Sequence, residues 1–278
     1  MNTRDNTDAE ATLGAGQVAA LARGLKILQC FASGHPELSL RELTELTGLA
    51  KPTATRLINT LCEFHLLRYS SRTSRYVLGT EAIALSAPAL ARMTIRHIAR
   101  APMQALARYC AGQVALLTGD GSSLIYTEIA QADESPMHWV EPGTRLPLHS
   151  SAPGYARLLT MSREDRERYL RHVRLAKPAS VDHLMHRLSD AERELDEFGF
   201  CMCCGEQHRE VHSVAVPLRA PIDGEWYVFN CSIAVFDLHD DQLATDIGPR
   251  VRAMARCVEA DLGSALATDQ ADMDVQAG

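Results

Sequence analysis

The sequence predicts an α+β chain in two parts, a winged helix-turn-helix followed by an antiparallel sheet covered by helices. Three observations lead there. Residues 39–64 read as two short helices joined by a glycine turn, a β-hairpin follows at once, and from residue 114 hairpin signals interleave with helical periodicity. A length of 278 residues suffices for two domains with separate cores.

Residues 1–16 read as a disordered tail, and 17–79 as the winged helix-turn-helix domain. Residues 18–32 form its first helix, with Leu21, Leu25 and Leu28 on the buried side and Arg23 and Lys26 outward. Ser39 followed by Glu42 is a capping box that starts the second helix. Leu40, Leu43 and Leu46 give that helix one apolar stripe, and Thr47-Gly48 ends it. Pro52 suits the first turn of a third helix, where its missing N–H costs nothing. There Ala54, Leu57, Ile58 and Leu61 share a face. A turn of about 100° per residue places Arg56 and Asn59 opposite, flanked by Thr53 and Thr55. A Thr/Arg/Asn face on the second helix of such a pair suits the DNA major groove.

A plain helical hairpin is the competing reading, and the following residues weigh against it. Residues 66–69 and 75–78 alternate like strands around the turn 70–74, which carries Arg72, and so form a wing. Between Lys51 and Tyr76 stand five basic residues, Lys51, Arg56, Arg68, Arg72 and Arg75, and one acid, Glu63. Residues 17–79 carry eight Lys/Arg against four Asp/Glu, net +4, in a chain of net charge −7. Residues 1–16 contribute −2 and residues 80–278 contribute −9. A basic module on an acidic body points to phosphate. Thr53, Thr55, Arg56 and Asn59 are expected to reach bases or nearby phosphates, with Lys51, Arg72 and Arg75 on the backbone.

Thr80 can cap a further helix over about 81–96, rich in Ala and Leu. Its apolar residues exceed what one face needs, so 80–97 reads as a linker helix and dimer contact. Residues 98–263 then form the second domain. An amphipathic helix at 99–111 precedes strands 114–118 and 124–129, which flank Asp120-Gly121. A strand at 137–140 leads through Pro142-Gly143 to Leu146-Pro147-Leu148-His149. Helices follow at 151–159, 163–173 and 181–198, the last ending at Gly199. Strands at 200–204, 211–218 and 226–236 come next, the last two paired across Asp223-Gly224, and a helix at 243–262 closes the domain. Residues 264–278 read as a frayed tail.

No run approaches the roughly 18 apolar residues of a membrane span, and the polar N-terminus is no signal peptide. Eight cysteines without a secretory signal read as reduced thiols in a cytoplasm. There is no GxSxG elbow, HExxH, P-loop or GxGxxG, so neither an enzyme nor a bound cofactor is expected. His149-Ser150-Ser151 lacks a separate acid partner. Cys201, Cys203, Cys204, His208 and His212 cluster in sequence and give the alternative function, a metal- or redox-responsive regulator. Adjacent strand residues face opposite sides, however, and no CxxC spacing is present, so no metal site is assigned.

Taken in order, several motifs resemble the IclR family of bacterial transcriptional regulators over about residues 17–263. They are Ala22-Arg23-Gly24-Leu25-Lys26-Ile27-Leu28, Leu46-Thr47-Gly48-Leu49-Ala50-Lys51-Pro52-Thr53, Arg56-Leu57 and Tyr76-Val77-Leu78-Gly79. The second domain adds Pro147-Leu148-His149-Ser150-Ser151-Ala152, Gly154, Pro217 and Asn230-Cys231-Ser232. The resemblance implies a winged helix-turn-helix, a linker helix, a GAF-like effector-binding domain, and dimers or tetramers on operator DNA. It also implies an effector pocket at His138, Leu146, Ala152, Pro153, Cys203, Val211, Ser213, Asn230 and Ser232. Physical chemistry supports part of that set independently. A helix starting near Ala152 directs free N–H groups at an anion, and Ser or Asn on a strand orients a small polar ligand.

This sequence departs from the family at five places. Pro153 removes one N–H, His138 stands at an often apolar position, and Tyr155 replaces a common Lys or Arg. Glu210 replaces a frequent Gly, and Cys203-Cys204-Gly205 an acidic run. The expected function is a regulator of a catabolic operon responding to a small organic acid, aromatic acids among the candidates, with His138 making up the lost contact.

Overall fold

The structure, a computed structural model, describes residues 18–32, 34–119, 121–133, 140–206, 208–239 and 241–276, with 266–276 as backbone alone. The expected tail at 1–16 lies outside them. The chain divides into two compact units, Met1–Arg92 and Met93–Gly278.

In the first unit α1 (Ala19–Phe31), α2 (Leu40–Thr47) and α3 (Lys51–Glu63) pack around Ile27, Phe31, Leu43, Ala54 and Ile58. The Ser39 backbone N–H donates to Glu42 Oε2 at 2.8 Å, and the Ser39 hydroxyl accepts from the Glu42 N–H at 3.3 Å. This closes the capping box at the start of α2. Gly48 ends α2 at φ +69°, a left-handed conformation that costs glycine little. Lys26 Nζ donates to the Thr47 carbonyl at 2.9 Å and so satisfies an orphan acceptor there. Strands β1 (Leu67–Ser70) and β2 (Arg75–Leu78) form the wing. Leu38 bridges Tyr76 through two further hydrogen bonds, an extra short rung that the sequence reading lacked.

Several side chains sit differently from expectation. Helix α1 buries Gly24, Ile27 and Phe31, while Leu21 and Leu25 are exposed. Ile27 and Phe31, four residues apart, supply the inward face that the leucines were expected to form. On α2, Leu46 is exposed and Thr47 is buried instead. The Thr47 hydroxyl donates to the Leu43 carbonyl at 2.5 Å, which lets a polar side chain occupy the interior. Helix α4 (Thr80–Ala91) has Gly79 rather than Thr80 at its N-cap. A Cβ on Gly79 would lie 1.9 Å from the His65 carbonyl oxygen, so only glycine fits that close approach.

The second unit opens with α5 (Thr94–Tyr109), which spans the gap expected between 96 and 99. Ile95, Ala99, Met103 and Leu106 make one continuous buried stripe along it, which holds the helix through that stretch. Six antiparallel strands follow: β3 (Gln113–Thr118), β4 (Ser123–Gln131), β5 (Arg145–Pro147), β6 (Cys201–Cys204), β7 (Val211–Pro217) and β8 (Tyr227–Ala234). Their spatial order is β5-β4-β3-β8-β7-β6. Asp223 and Gly224 both have positive φ, 50° and 82°, at the tight turn before β8. Of the strand expected at 137–140, residues 137–139 lie outside the described residues and Val140 is not in a strand. The strand expected over 226–236 ends at Ala234, and Val235–Asp237 make a 3-10 turn.

One sheet face is covered by α5 and α9 (Gly248–Gln276), around Met103, Val114, Leu116, Phe229 and Val251. The other carries α6 (Ala152–Thr160), α7 (Arg163–Ala176) and α8 (Val181–Phe198), around Leu117, Tyr155, Tyr169, Leu184 and Val228. The backbone of α9 stays helical past Leu262 into the stretch expected to fray, where Ala-rich sequence favours helix. Among the described residues, no helix is long and apolar enough to cross a membrane.

Candidate functional site

Each unit carries one candidate site. In the first, α3 turns Ala54 and Ile58 inward, and Lys51, Arg56 and Asn59 are exposed on it. Thr53 and Thr55 are half-buried, and the Thr55 hydroxyl donates to the Lys51 carbonyl at 2.8 Å. Thr53, Arg56 and Asn59 also border a groove of about 820 Å³ between α1 and α3, with Leu21, Leu25 and Leu57 on its walls. On the wing, Arg68 and Arg72 are exposed.

Arg75, expected on the DNA backbone, is engaged within the unit through one guanidinium nitrogen. Its Nη1 donates to Glu42 Oε2 at 2.8 Å, to Glu42 Oε1 at 3.1 Å and to the Glu37 carbonyl at 3.3 Å. This bolts the wing to the capping box of α2. The Ser39 hydroxyl, the Ser39 N–H and the Arg75 guanidinium together hold the Glu42 carboxyl down to about 2.

In the second unit a cavity of about 540 Å³ opens between the sheet and α6. Alternation along β3, β7 and β8 brings Gln113, Ser213, Asn230 and Ser232 onto the face that carries Ala115, Ala215 and Val228. These four form a polar floor, and Tyr126, Leu146, Pro153, Cys203 and Val211 are also among the lining. Ala152 is fully buried but does not line the cavity, and His138 lies outside the described residues. Gln113, Tyr126, Val140, Ser151, His208, Arg209, Glu210, Ala234 and Phe236 also line the cavity, and the sequence reading assigned none of them to the site. Gln113 opens β3, one residue before the start expected for that strand, and no local pattern marked it.

The helix-terminus anion site is weaker than expected. Pro153 has no N–H, and the Gly154 N–H already donates to Ser151 Oγ at 3.2 Å. Ser151 thus works as an N-cap by accepting that bond, and its hydroxyl donates to the Pro147 carbonyl at 3.0 Å. Cationic character at the cavity comes instead from Arg209, on the exposed rim beside Glu210.

The loop after β6 is anchored by Glu206. Tyr155 donates its hydroxyl to Glu206 Oε2 at 2.5 Å, and Arg187 Nε donates to Glu206 Oε1 at 2.7 Å. Burial and this carboxylate push the Tyr155 phenol far above its ordinary range. Tyr155 thus substitutes a hydrogen-bond anchor for the positive charge the family resemblance led us to expect there.

The cysteine–histidine cluster is dispersed. Cys201 and Cys203 are buried, Cys204 faces outward, and burial pushes the Cys201 and Cys204 thiols up. Among the described residues no group of three His, Cys, Asp or Glu side chains is placed to hold a metal ion.

Comparison with known proteins finds relatives of both parts of the chain. Residues 20–71 match the model for the IclR helix-turn-helix domain, and residues 87–260 the model for the bacterial transcriptional regulator IclR C-terminal domain. The chain is 28% identical over 254 residues to the HTH-type transcriptional regulator TsaQ1/TsaQ2 of Comamonas testosteroni, covering 91% of each. An IclR family transcriptional regulator from Brucella abortus superposes with a TM-score of 0.78 at 35% identity, over 88% of this chain and 93% of that one. An IclR homolog from Microbacterium hydrocarbonoxydans, solved in complex with 4-hydroxybenzoate, shares the fold at 19% identity and a TM-score of 0.66, over 88% of this chain and 99% of that one.

Proposed function

Because the chain belongs to the IclR family of DNA-binding transcriptional regulators, we propose that it controls a catabolic operon in response to a small organic acid held in the cavity of its second unit. The observation that carries this reading is the cavity itself: about 540 Å³, with a polar floor, an apolar wall and an arginine at its rim. Its volume falls within the roughly 300–1,000 Å³ usual for small-molecule sites. An aromatic acid suits the apolar wall, and the Microbacterium homolog was crystallised with one.

On DNA, the exposed Arg56 and Asn59 of α3 are read as base-contacting residues, with Lys51 and Arg72 on the phosphate backbone. The response requires the acid to bind the DNA-competent and DNA-released states with different affinities, since equal binding shifts no population. The test starts by selecting an operator from a random duplex library with the full-length protein. Its dissociation constant is then measured with and without each of a panel of aromatic and short aliphatic acids. The expected result is an acid that raises the melting temperature, by about 2.7 kcal/mol of linkage at a hundredfold excess over Kd, and changes operator affinity severalfold. A panel that does neither overturns the acid reading.

A further inference from the structure

Two side-chain atoms on the cavity floor find no partner among the described residues, Asn230 Oδ1 and Gln113 Nε2. Asn230 is 3% exposed and Gln113 4% exposed, so both are shut off from bulk water, and both line the cavity. The Asn230 amide is oriented by its other atom, because Nδ2 donates to Ser232 Oγ at 2.8 Å. Among the buried side-chain atoms of the floor, that leaves one unpartnered acceptor, Asn230 Oδ1, and one unpartnered donor, Gln113 Nε2. Buried polar groups are paired in the great majority of native structures, so two orphans on one cavity floor call for a ligand group that matches them.

Register sets their spacing. Gln113 on β3 lies opposite Ser232 on β8, and Ala115 lies opposite Asn230. Gln113 and Asn230 are therefore diagonal neighbours on one face, with α-carbons about 7–8 Å apart, near enough for both amides to reach one small group. A hydroxyl meets the demand from a single oxygen atom: it accepts from Gln113 Nε2 and donates to Asn230 Oδ1. An ether accepts only and leaves Asn230 Oδ1 buried without a donor. A bare C–H or a methyl leaves both atoms unmatched.

We propose that Gln113 and Asn230 form a hydroxyl-reading pair that selects a hydroxylated carboxylic acid over its deoxy parent. This rests on the acid-effector reading given above and narrows it to a chemical class. Selection follows because the deoxy acid keeps both amide atoms desolvated without repayment.

The test measures Kd by calorimetry on the full-length protein. The probes are benzoate, 3- and 4-hydroxybenzoate and 4-methoxybenzoate, with butanoate and its 3- and 4-hydroxy derivatives as an aliphatic arm. The expected result is a hydroxylated member binding about tenfold to a hundredfold tighter than its parent, with the methoxy ether no better than the parent. In Gln113→Met, which keeps side-chain length and removes the donor, that preference falls to within about twofold. An unchanged circular-dichroism spectrum and a melting temperature close to wild type show that the variant is folded. A second variant, Gln113→Glu, replaces the donor by an acceptor and is expected to lose the preference as well. Parent and hydroxylated acids binding equally to the wild-type protein overturn the hydroxyl pair while leaving the acid reading in place. A preference that survives both Gln113 variants does the same, and absence of binding by every acid overturns both.

Discussion

Arg75 shows how one side chain can leave the role its neighbours suggest. It belongs to a basic cluster that reads as phosphate-binding, yet one of its guanidinium nitrogens is engaged by Glu42 and the Glu37 carbonyl. Arg72, three residues earlier on the turn of the wing, is exposed and stays the wing's proposed phosphate contact. Arg72→Ala is therefore expected to lower the slope of log affinity against log salt by about one, with little change in melting temperature. Arg75→Ala is expected to do the reverse, lowering the melting temperature while the salt slope holds, as read by calorimetry beside a salt titration of binding. Because the Glu42 carboxyl is held down to about 2 from its ordinary 4.5, its contribution is complete above pH 4.5 and fades as pH falls toward 2. At this scale the sequence showed residue types better than partners. The capping box could be read because both its members lie within four residues, whereas Arg75–Glu42 spans 33 residues and leaves no local mark. Gln113 was missed for a related reason: one amide at a strand start carries no signal until its neighbours on β8 are known.

Among the elements, α5 is pinned to β4 by an acid between two arginines. Arg96 Nη2 reaches Glu128 Oε2 at 2.7 Å, and Arg100 Nε reaches Glu128 Oε1 at 2.9 Å. Burial alone would push the Glu128 carboxyl up, but the hydrogen bond from Arg100 and the charge of Arg96 outweigh it and hold it below its ordinary value. Glu128→Gln is expected to cost about 3 kcal/mol in chemical denaturation, because Arg96 is left buried beside a neutral amide. The wild-type ion pair is full above the ordinary carboxylate range and weakens as pH falls through the depressed value, so the difference between the two proteins narrows in acid. Most elements were legible from periodicity and turn chemistry, α8 to the residue. The errors fell where a local rule lost to packing. The inward stripe of α5 overrode the expected break near residue 97, and the passage of Gly79 against His65 moved the start of α4.

For the whole molecule, two observations belong together: α4 buries none of its residues, and Ile83 and Leu85 are 70% and 64% exposed on it. Apolar residues in that position are expected to be covered by a second copy of the chain. Leu85→Glu should shift the protein toward monomer in sedimentation velocity and weaken operator binding, with the melting temperature of each unit little changed. A variant that remains associated would remove α4 from the contact. The basic and acidic division of the chain was readable as charge counts, and the family motifs ran through both parts. The cavity of the second unit was legible only in outline, because its floor is built from three strands brought together by pairing between distant residues.

That pairing has a consequence for how the protein is made. Strand β3, in the middle of the sheet, is flanked on one side by its hairpin neighbour β4 and on the other by β8, the last strand of the chain. Leu116 faces Phe229 across that seam. On the ribosome, β3 leaves the exit tunnel with one edge bare and keeps it bare until β8 follows. The winged head, built from contacts close in sequence, has no such wait. A finished winged head is therefore expected on nascent chains before the sheet of the second unit can close.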